Sequence, residues 1–132
     1  MNANDPKLKS WVEVPENSDF PIQNLPFGIF STDYLEPGGG VAIGNYILDL
    51  VYLSDSGYFE DLNLPEGVFN QDTLNEFISL GKVTTRAVRE RISELLRHNN
   101  PELRDNKIAT EMALVPMDEA TMLMPLSIGD YT

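Results

Sequence analysis

The chain contains one histidine, His98, and no cysteine, so few of its side chains could act as a nucleophile or a general base. General-base catalysis by histidine needs an orienting carboxylate and a pocket. His98 instead follows Arg97 near the predicted end of a helix, where a cation complements exposed carbonyl groups. We therefore interpret His98 as a structural residue. A metal site in this chain would have to be built from oxygen ligands.

Four acidic residues lie close enough in the sequence to suggest calcium binding. They are Asp55, Glu60, Asp61 and Glu66. A calcium loop of the EF-hand type needs regularly alternating acidic ligands, a glycine turn and a closing glutamate. The segment lacks that order, which favours a solvated loop over a calcium site.

Residues 38–44 (GGGVAIG) are rich enough in glycine to be considered as a phosphate-binding loop. Such a loop leads into a helix N-terminus and carries a characteristic spacing or a Gly-Lys-Ser/Thr sequence, none of which occurs here. Two apolar runs, residues 41–43 and 46–50, instead flank Gly44 and Asn45. Both turn residues tolerate the positive φ angles of tight hairpins. The pattern predicts a β-hairpin.

The remaining segments predict alternating strands and helices. Strands are expected at residues 11–14, 27–30 and 108–115, and in the final apolar run after a turn at residues 118–121. Helices are expected at residues 50–53, from a cap at Asn70 to Gly81, from a cap at Thr84 or Thr85 to residue 98, and at residues 101–104. The predicted fold class is mixed, mainly β with inserted helices, as a small barrel or roll in a single domain.

The formal net charge of −12 repels phosphate backbones and anionic membranes, so we expect neither nucleic acid nor a membrane as a partner. No run approaches the roughly 20 apolar residues of a membrane helix. The first ten residues lack the apolar core of a secretory signal, so a cytoplasmic location is expected. Residues 82–107 carry seven bases against four acids, which we interpret as an exposed helix face of mixed charge.

Methionine and leucine residues are concentrated near the C-terminus. They are Met112, Met117, Met122, Leu123, Met124 and Leu126. Methionine usually fills cores, so at least half of these methionines are expected to be buried. The others could form an exposed patch that a further domain covers.

Four stretches of the chain resemble the fumarylacetoacetase family. They are residues 18–32 (SDFPIQNLPFGIFST), 41–50 (VAIGNYILDL), 68–81 (VFNQDTLNEFISLG) and 124–132 (MPLSIGDYT). The first is the most specific, because general strand chemistry does not require two prolines and a glycine in that order. The resemblance implies an SH3-like barrel that precedes a catalytic half.

The resemblance also implies which functional residues this chain lacks. In the family, the metal-binding aspartate and the catalytic histidine follow the Gly-Asp-Tyr-Thr motif, whereas this chain ends at Thr132. Asp130 matches the aspartate inside that motif and not the metal ligand. We therefore assign no catalytic, substrate-binding or metal-binding residue here and expect no cofactor in this chain. Calcium or magnesium, and a homodimer, are implied for the full-length family member.

Three segments are expected: a lead-in at residues 1–17, the SH3-like domain at residues 18–121, and a connection into an absent catalytic domain at residues 122–132. Because the sequence stops after the motif and not in a polar tail, we expect that it is part of a longer protein.

The sequence supports one main functional hypothesis and two alternatives. The main hypothesis is the non-catalytic N-terminal domain of a fumarylacetoacetase, inactive on its own. Such a hydrolase splits 4-fumarylacetoacetate into fumarate and acetoacetate in tyrosine and phenylalanine catabolism. A related hydrolase acting on another diketone would share this domain. A free-standing SH3-like interaction module is the alternative from another class, although its aromatic residues Trp11, Tyr34, Tyr46, Tyr52 and Tyr58 are scattered along the sequence.

Overall fold

The computed structural model describes residues 9–14 and 22–127, with side chains given as far as residue 123. Its framework is a curled, antiparallel five-stranded sheet that forms half of a barrel. The strands are β1 (Phe27–Ser31), β2 (Gly38–Ile43), β3 (Tyr46–Asp49), β4 (Leu114–Pro116) and β5 (Thr121–Ser127). Their order across the sheet is β4-β3-β2-β1-β5, so β4 and β5 form the two edges.

Five short to medium helices are inserted between the strands of the described part. They are α1 (Leu50–Asp55), α2 (Asn75–Ile78), α3 (Lys82–Leu96), α4 (Pro101–Arg104) and α5 (Lys107–Ala113). Two 3-10 turns, Glu60–Leu62 and Met117–Glu119, complete the set. The predicted mixture of strands and inserted helices is confirmed. None of the described helices has the length and apolar character needed to cross a bilayer.

The predicted hairpin is confirmed as β2 and β3, in which Ile43 pairs with Tyr46 around the turn. Gly44 adopts a φ of +57°, a conformation that glycine reaches without steric cost. Gly40 meets a different requirement, because a Cβ there would lie 2.6 Å from Cγ2 of Ile47 and 2.8 Å from the Phe30 ring. Glycine at position 40 therefore leaves room for Ile47 and Phe30 to pack against the backbone of β2.

The helical predictions are confirmed in part. Asn100 caps α4, with its side chain accepting a hydrogen bond from the Glu102 N–H at 2.8 Å. The helix predicted from Asn70 is reduced to the four residues of α2. The start of α3 was predicted too late. It begins at Lys82, because Gly81 leads directly into the helix and the Thr85 hydroxyl donates to the Gly81 carbonyl at 2.9 Å.

Two predicted strands are wrong. Residues 11–14 form no strand, and only Ser10 makes an isolated bridge, to Arg97. The Trp11 indole N–H donates to the Leu95 carbonyl at 2.8 Å, which ties this segment to the end of α3. Residues 108–113 belong to α5, and only Leu114–Pro116 is extended. The Asn106 side chain accepts a hydrogen bond from the Ala109 N–H at 3.1 Å and so starts α5.

The core lies between the sheet and α3. The predicted apolar face of α3 is confirmed, since Val88, Ile92, Leu95 and Leu96 are all buried. The prediction that residues 82–107 form an exposed charged face is wrong at Arg89, which is also buried. Three phenylalanines link the layers: Phe77 lies 5.1 Å from Phe27 and 5.0 Å from Phe69 between ring centroids.

Candidate functional site

The candidate site is a groove of about 910 Å³ at one end of the curled sheet. Four pieces of chain surround it: the loop after β1, the start of α1, the end of α5 with β4, and the 3-10 turn that leads into β5. The groove therefore combines segments that lie far apart in the sequence. We refer to it as the end groove.

The loop after β1 holds Tyr34 out into solvent at the rim of the end groove. The Thr32 hydroxyl oxygen accepts hydrogen bonds from the backbone N–H groups of Tyr34, at 3.1 Å, and Leu35, at 3.0 Å. The Thr32 N–H in turn donates to the Leu35 carbonyl at 3.1 Å. These bonds fix the turn, and the Tyr34 side chain is 95% exposed.

Asp49 is the buried carboxylate of the end groove. It is only 7% exposed, and its Oδ1 accepts hydrogen bonds from the N–H groups of Val51, at 3.0 Å, and Tyr52, at 3.3 Å. Asp49 thus caps α1. Burial raises the pKa of Asp49 above its usual value of 3.8, and the two N–H groups offset part of that rise.

Helix α5 presents its larger apolar side chains to solvent. Ala109 and Ala113 face the core, whereas Ile108 is 74% exposed and Met112 is 56% exposed. Met112 lies at the wall of the end groove. This arrangement reverses the usual orientation of an amphipathic surface helix, whose larger apolar residues face inward.

Among the described residues, every charged side chain that lines the end groove is acidic. These residues are Asp33, Asp49, Asp55, Glu111, Asp118 and Glu119. Tyrosine, leucine, valine, methionine and proline side chains lie between them. The surface is therefore apolar with a strong negative potential, which suits a partner that carries cationic and apolar groups.

The end groove does not resemble a metal-dependent catalytic site. Within residues 9–14 and 22–123, no three histidine, aspartate or glutamate side chains are grouped so that they could hold a metal ion. The calcium or magnesium that the family resemblance implies is implied for the full-length protein, and the described residues of this chain offer no such set of ligands. Its carboxylates and apolar side chains form a surface suited to binding.

The residues considered from sequence alone fall in different places. His98 is exposed outside the end groove, and its backbone N–H donates to the Lys9 carbonyl at 2.9 Å. Residues 38–43 form β2, which agrees with the hairpin interpretation. Of the four clustered acids only Asp55 lines the groove. Asp130 lies outside the described residues.

The methionine-rich segment is partly exposed. Met112, Met122 and Leu123 are exposed and Met117 is half-buried, while the side chains of Met124 and Leu126 lie outside the described set. The prediction of outward-facing apolar residues is therefore confirmed at the first three of these positions. The prediction that at least half of the methionines are buried is wrong, because none of Met112, Met117 and Met122 is buried.

Tyr34, Asp49 and Glu111 line the same groove, which was not predicted from the sequence. Tyr34 and Tyr52, which appeared scattered, line the same groove. The one local signal was Asp49 directly before an apolar run, a pattern typical of a helix cap.

A model of the family described as "Fumarylacetoacetase N-terminal" matches residues 23–125, which include almost the whole described sheet. The chain belongs to this family. The range that matches the fumarylacetoacetase N-terminal model contains all five strands, apart from the last two residues of β5.

Curated relatives agree with this assignment. The chain is 42% identical over 130 residues to a fumarylacetoacetase of Oryza sativa subsp. japonica, and 45% identical over 126 residues to one of Caenorhabditis elegans. It is 42% identical over 124 residues to the Rattus norvegicus fumarylacetoacetase. These matches cover 95%, 95% and 93% of this chain but 30% of each relative. The chain thus spans about a third of the length of the relatives it matches.

Proposed function

We propose that this chain is the non-catalytic N-terminal domain of a fumarylacetoacetase. The observation that carries the proposal is the 42–45% identity to proteins named fumarylacetoacetase across 95% of this chain. The end groove supports it, because an apolar and acidic surface is suited to binding another part of the same protein.

The parent protein would split 4-fumarylacetoacetate into fumarate and acetoacetate in tyrosine and phenylalanine catabolism. We propose that its catalytic residues and a calcium or magnesium ion lie in a C-terminal domain outside this chain. Such an ion supplies Lewis-acid polarisation of a carbonyl group. A homodimer and a cytoplasmic location complete the proposal for the full-length protein.

The SH3-like description and the segment boundaries also belong to the proposal. The curled antiparallel sheet supports a barrel-like class. The proposed connection, residues 122–132, begins inside β5, whose residues pair with β1. Strand β5 would therefore belong both to the sheet and to the path toward the catalytic domain.

A chimera tests this function. The chain would replace the matching N-terminal part of the Caenorhabditis elegans relative, to which it is 45% identical. We expect the chimera to hydrolyse fumarylacetoacetate, measured as loss of ultraviolet absorbance, with turnover lost in EDTA and restored by calcium or magnesium. The isolated chain should match the buffer blank.

Two results would count against the proposal. One is turnover by the isolated chain that disappears on His98→Ala. The other is a folded chimera without activity beside an active Caenorhabditis elegans enzyme, which would favour the free-standing interaction module. Turnover of a different diketone only would favour the related hydrolase.

A further inference from the structure

We propose that the end groove docks a segment of the catalytic domain that presents arginine or lysine beside apolar side chains. The inference rests on the proposed function and adds to it the surface and the chemistry of the contact. Three observations of this chain support it.

The first observation is the orientation of α5. Its exposed Ile108 and Met112 are one helical turn apart, so both lie on a single apolar face beside the groove. Tyr34 and Leu35, which line the groove together with Met112, add further exposed apolar surface. Contiguous apolar surface of this kind marks an interaction site more often than an isolated exposed side chain does.

The second observation is the charge of the groove. In the part of the chain that the structure describes, six carboxylates line it and no lysine or arginine does. An anionic or nucleic-acid partner would be repelled, and a neutral partner would leave the carboxylates without compensation as they lose water. A partner with arginine or lysine satisfies the carboxylates and can pack its aliphatic stem against the apolar rim.

The third observation is Asp49. As a whole residue Asp49 is only 7% exposed, and its Oδ1 receives both capping hydrogen bonds. No cationic side chain in the described part of the chain pairs with it. A docked guanidinium or ammonium group would supply the missing charge where solvent screening is weakest.

We assign the occupant to the catalytic domain because most of the length of the relatives lies outside the region that this chain matches. The matched relatives have about 70% of their length beyond the region that this chain covers. Strand β5, which starts at the groove, carries the chain toward that region. A domain tethered there reaches the groove at a high effective concentration.

Footprinting with hydrogen peroxide and hydroxyl radicals tests the inference. The isolated chain is compared with the active chimera described above, and oxidation is located by mass spectrometry. Met112, Ile108 and Tyr34 should oxidise at least about fivefold more slowly in the chimera. Val83, which is 82% exposed on α3 and does not line the groove, is the internal control and should not change.

Charge reversal tests the chemistry of the occupant. Asp118→Lys with Glu119→Lys should restore at least about half of the lost Met112 reactivity. The milder Asp118→Asn with Glu119→Asn should restore less. The matched control is Glu60→Lys with Asp61→Lys, an acidic pair in the other 3-10 turn and outside the groove, which should leave protection intact.

The outcomes separate this inference from the proposed function. An active chimera in which Met112 reacts as in the isolated chain overturns the docking site but leaves the function standing. Protection that survives charge reversal at residues 118 and 119 overturns the basic occupant. Protection in the isolated chain that grows with its concentration assigns the groove to a second copy, and an inactive folded chimera removes both proposals.

Discussion

The guanidinium carbon of Arg89 lies 4.7 Å from the centroid of the Phe27 ring. This pair connects α3 to β1 inside the core, and Phe27 also meets Phe77 edge-on. An arginine in the middle of a basic stretch thus serves as a buried packing residue. Its stem supplies apolar contact while its charge faces the π-cloud.

We expect Arg89→Ala to lower the free energy of unfolding by about 2 kcal/mol, because it removes both the buried stem and the cation–π contact. Urea denaturation measures the change. Lys82→Ala at the exposed start of the same helix should cost less than about 0.5 kcal/mol. Equal losses for the two variants would show that the burial of Arg89 has no energetic consequence.

Gly40→Ala should lower the free energy of unfolding by about 1–3 kcal/mol, since the new methyl group meets Ile47 and Phe30 inside 3 Å and these neighbours must shift. Gly39→Ala is the comparison, because its nearest contact, Cδ1 of Phe69, is 3.2 Å away. Gly39→Ala should lower the free energy of unfolding by less than Gly40→Ala does in the same urea titration. The reverse order of the two variants would contradict the packing described for the sheet.

Asp49→Asn should make the protein at least as stable as the unmodified chain at pH 7. Burial raises the pKa of Asp49 above 3.8, so the carboxyl group ionises more easily in the unfolded chain than in the folded one. The free energy of unfolding therefore falls as pH rises from 3.8 through the raised pKa. Asparagine caps helices as well as aspartate does but carries no charge. The stability difference between variant and parent should therefore shrink as pH falls toward 3.8, in urea titrations at several pH values.

Asp49→Ala is the matched control for the cap. It removes the charge together with both hydrogen bonds to the start of α1, so it should destabilise by about 1 kcal/mol at low pH, where charge no longer matters. A loss for Asp49→Asn at pH 7 as large as that for Asp49→Ala would show that ionised Asp49 stabilises the fold.

Glu102→Gln should reduce stability by less than about 1 kcal/mol at pH 7, because the ion pair is about half exposed on the glutamate side. Arg91 donates from Nη2 to Glu102 Oε2 at 2.8 Å and from Nε to the Tyr58 carbonyl at 2.9 Å. The hydrogen bonds from Arg91 lower the pKa of Glu102 below 4.5. The contribution of the Arg91–Glu102 ion pair to the free energy of unfolding is therefore present above pH 4.5 and is lost as pH falls through the lowered pKa.

The exposed neighbour pair Arg104 and Asp105 provides the control, with Asp105→Asn expected to change stability less than Glu102→Gln does. High salt should weaken the effect of Glu102→Gln. A salt-independent effect would point to the lost hydrogen bonds and not to the charge.

The sequence was most informative where local chemistry decides the structure. The turn at Gly44 and the short helix at residues 101–104 depend on residues within a few positions, and both predictions are confirmed. The helix α5 was missed because Ile108 and Met112 were read as apolar strand positions. The buried residues of that helix are its alanines, and the Asn106 cap outweighs the strand pattern.

The end groove was beyond prediction because its walls come from four separate segments. Nothing local to Tyr34 indicates that α5 or the 3-10 turn Met117–Glu119 lies nearby. The burial of Arg89 was also beyond prediction, because its charge suggested exposure and nothing near it in the sequence indicates that it packs on Phe27. Tertiary contacts of this kind override local pattern.

The pairing of β1 with β5 has a consequence for how the chain folds during synthesis. Phe30 pairs with Met122, so the partner of an early strand is made some 90 residues later. Until then one edge of β1 has no strand beside it, and closure must overcome the entropy of a long loop. Completion of the sheet therefore follows translation of the last strand, and a ribosome that stalls before Thr121 leaves a hydrophobic strand edge open to chaperones or to aggregation.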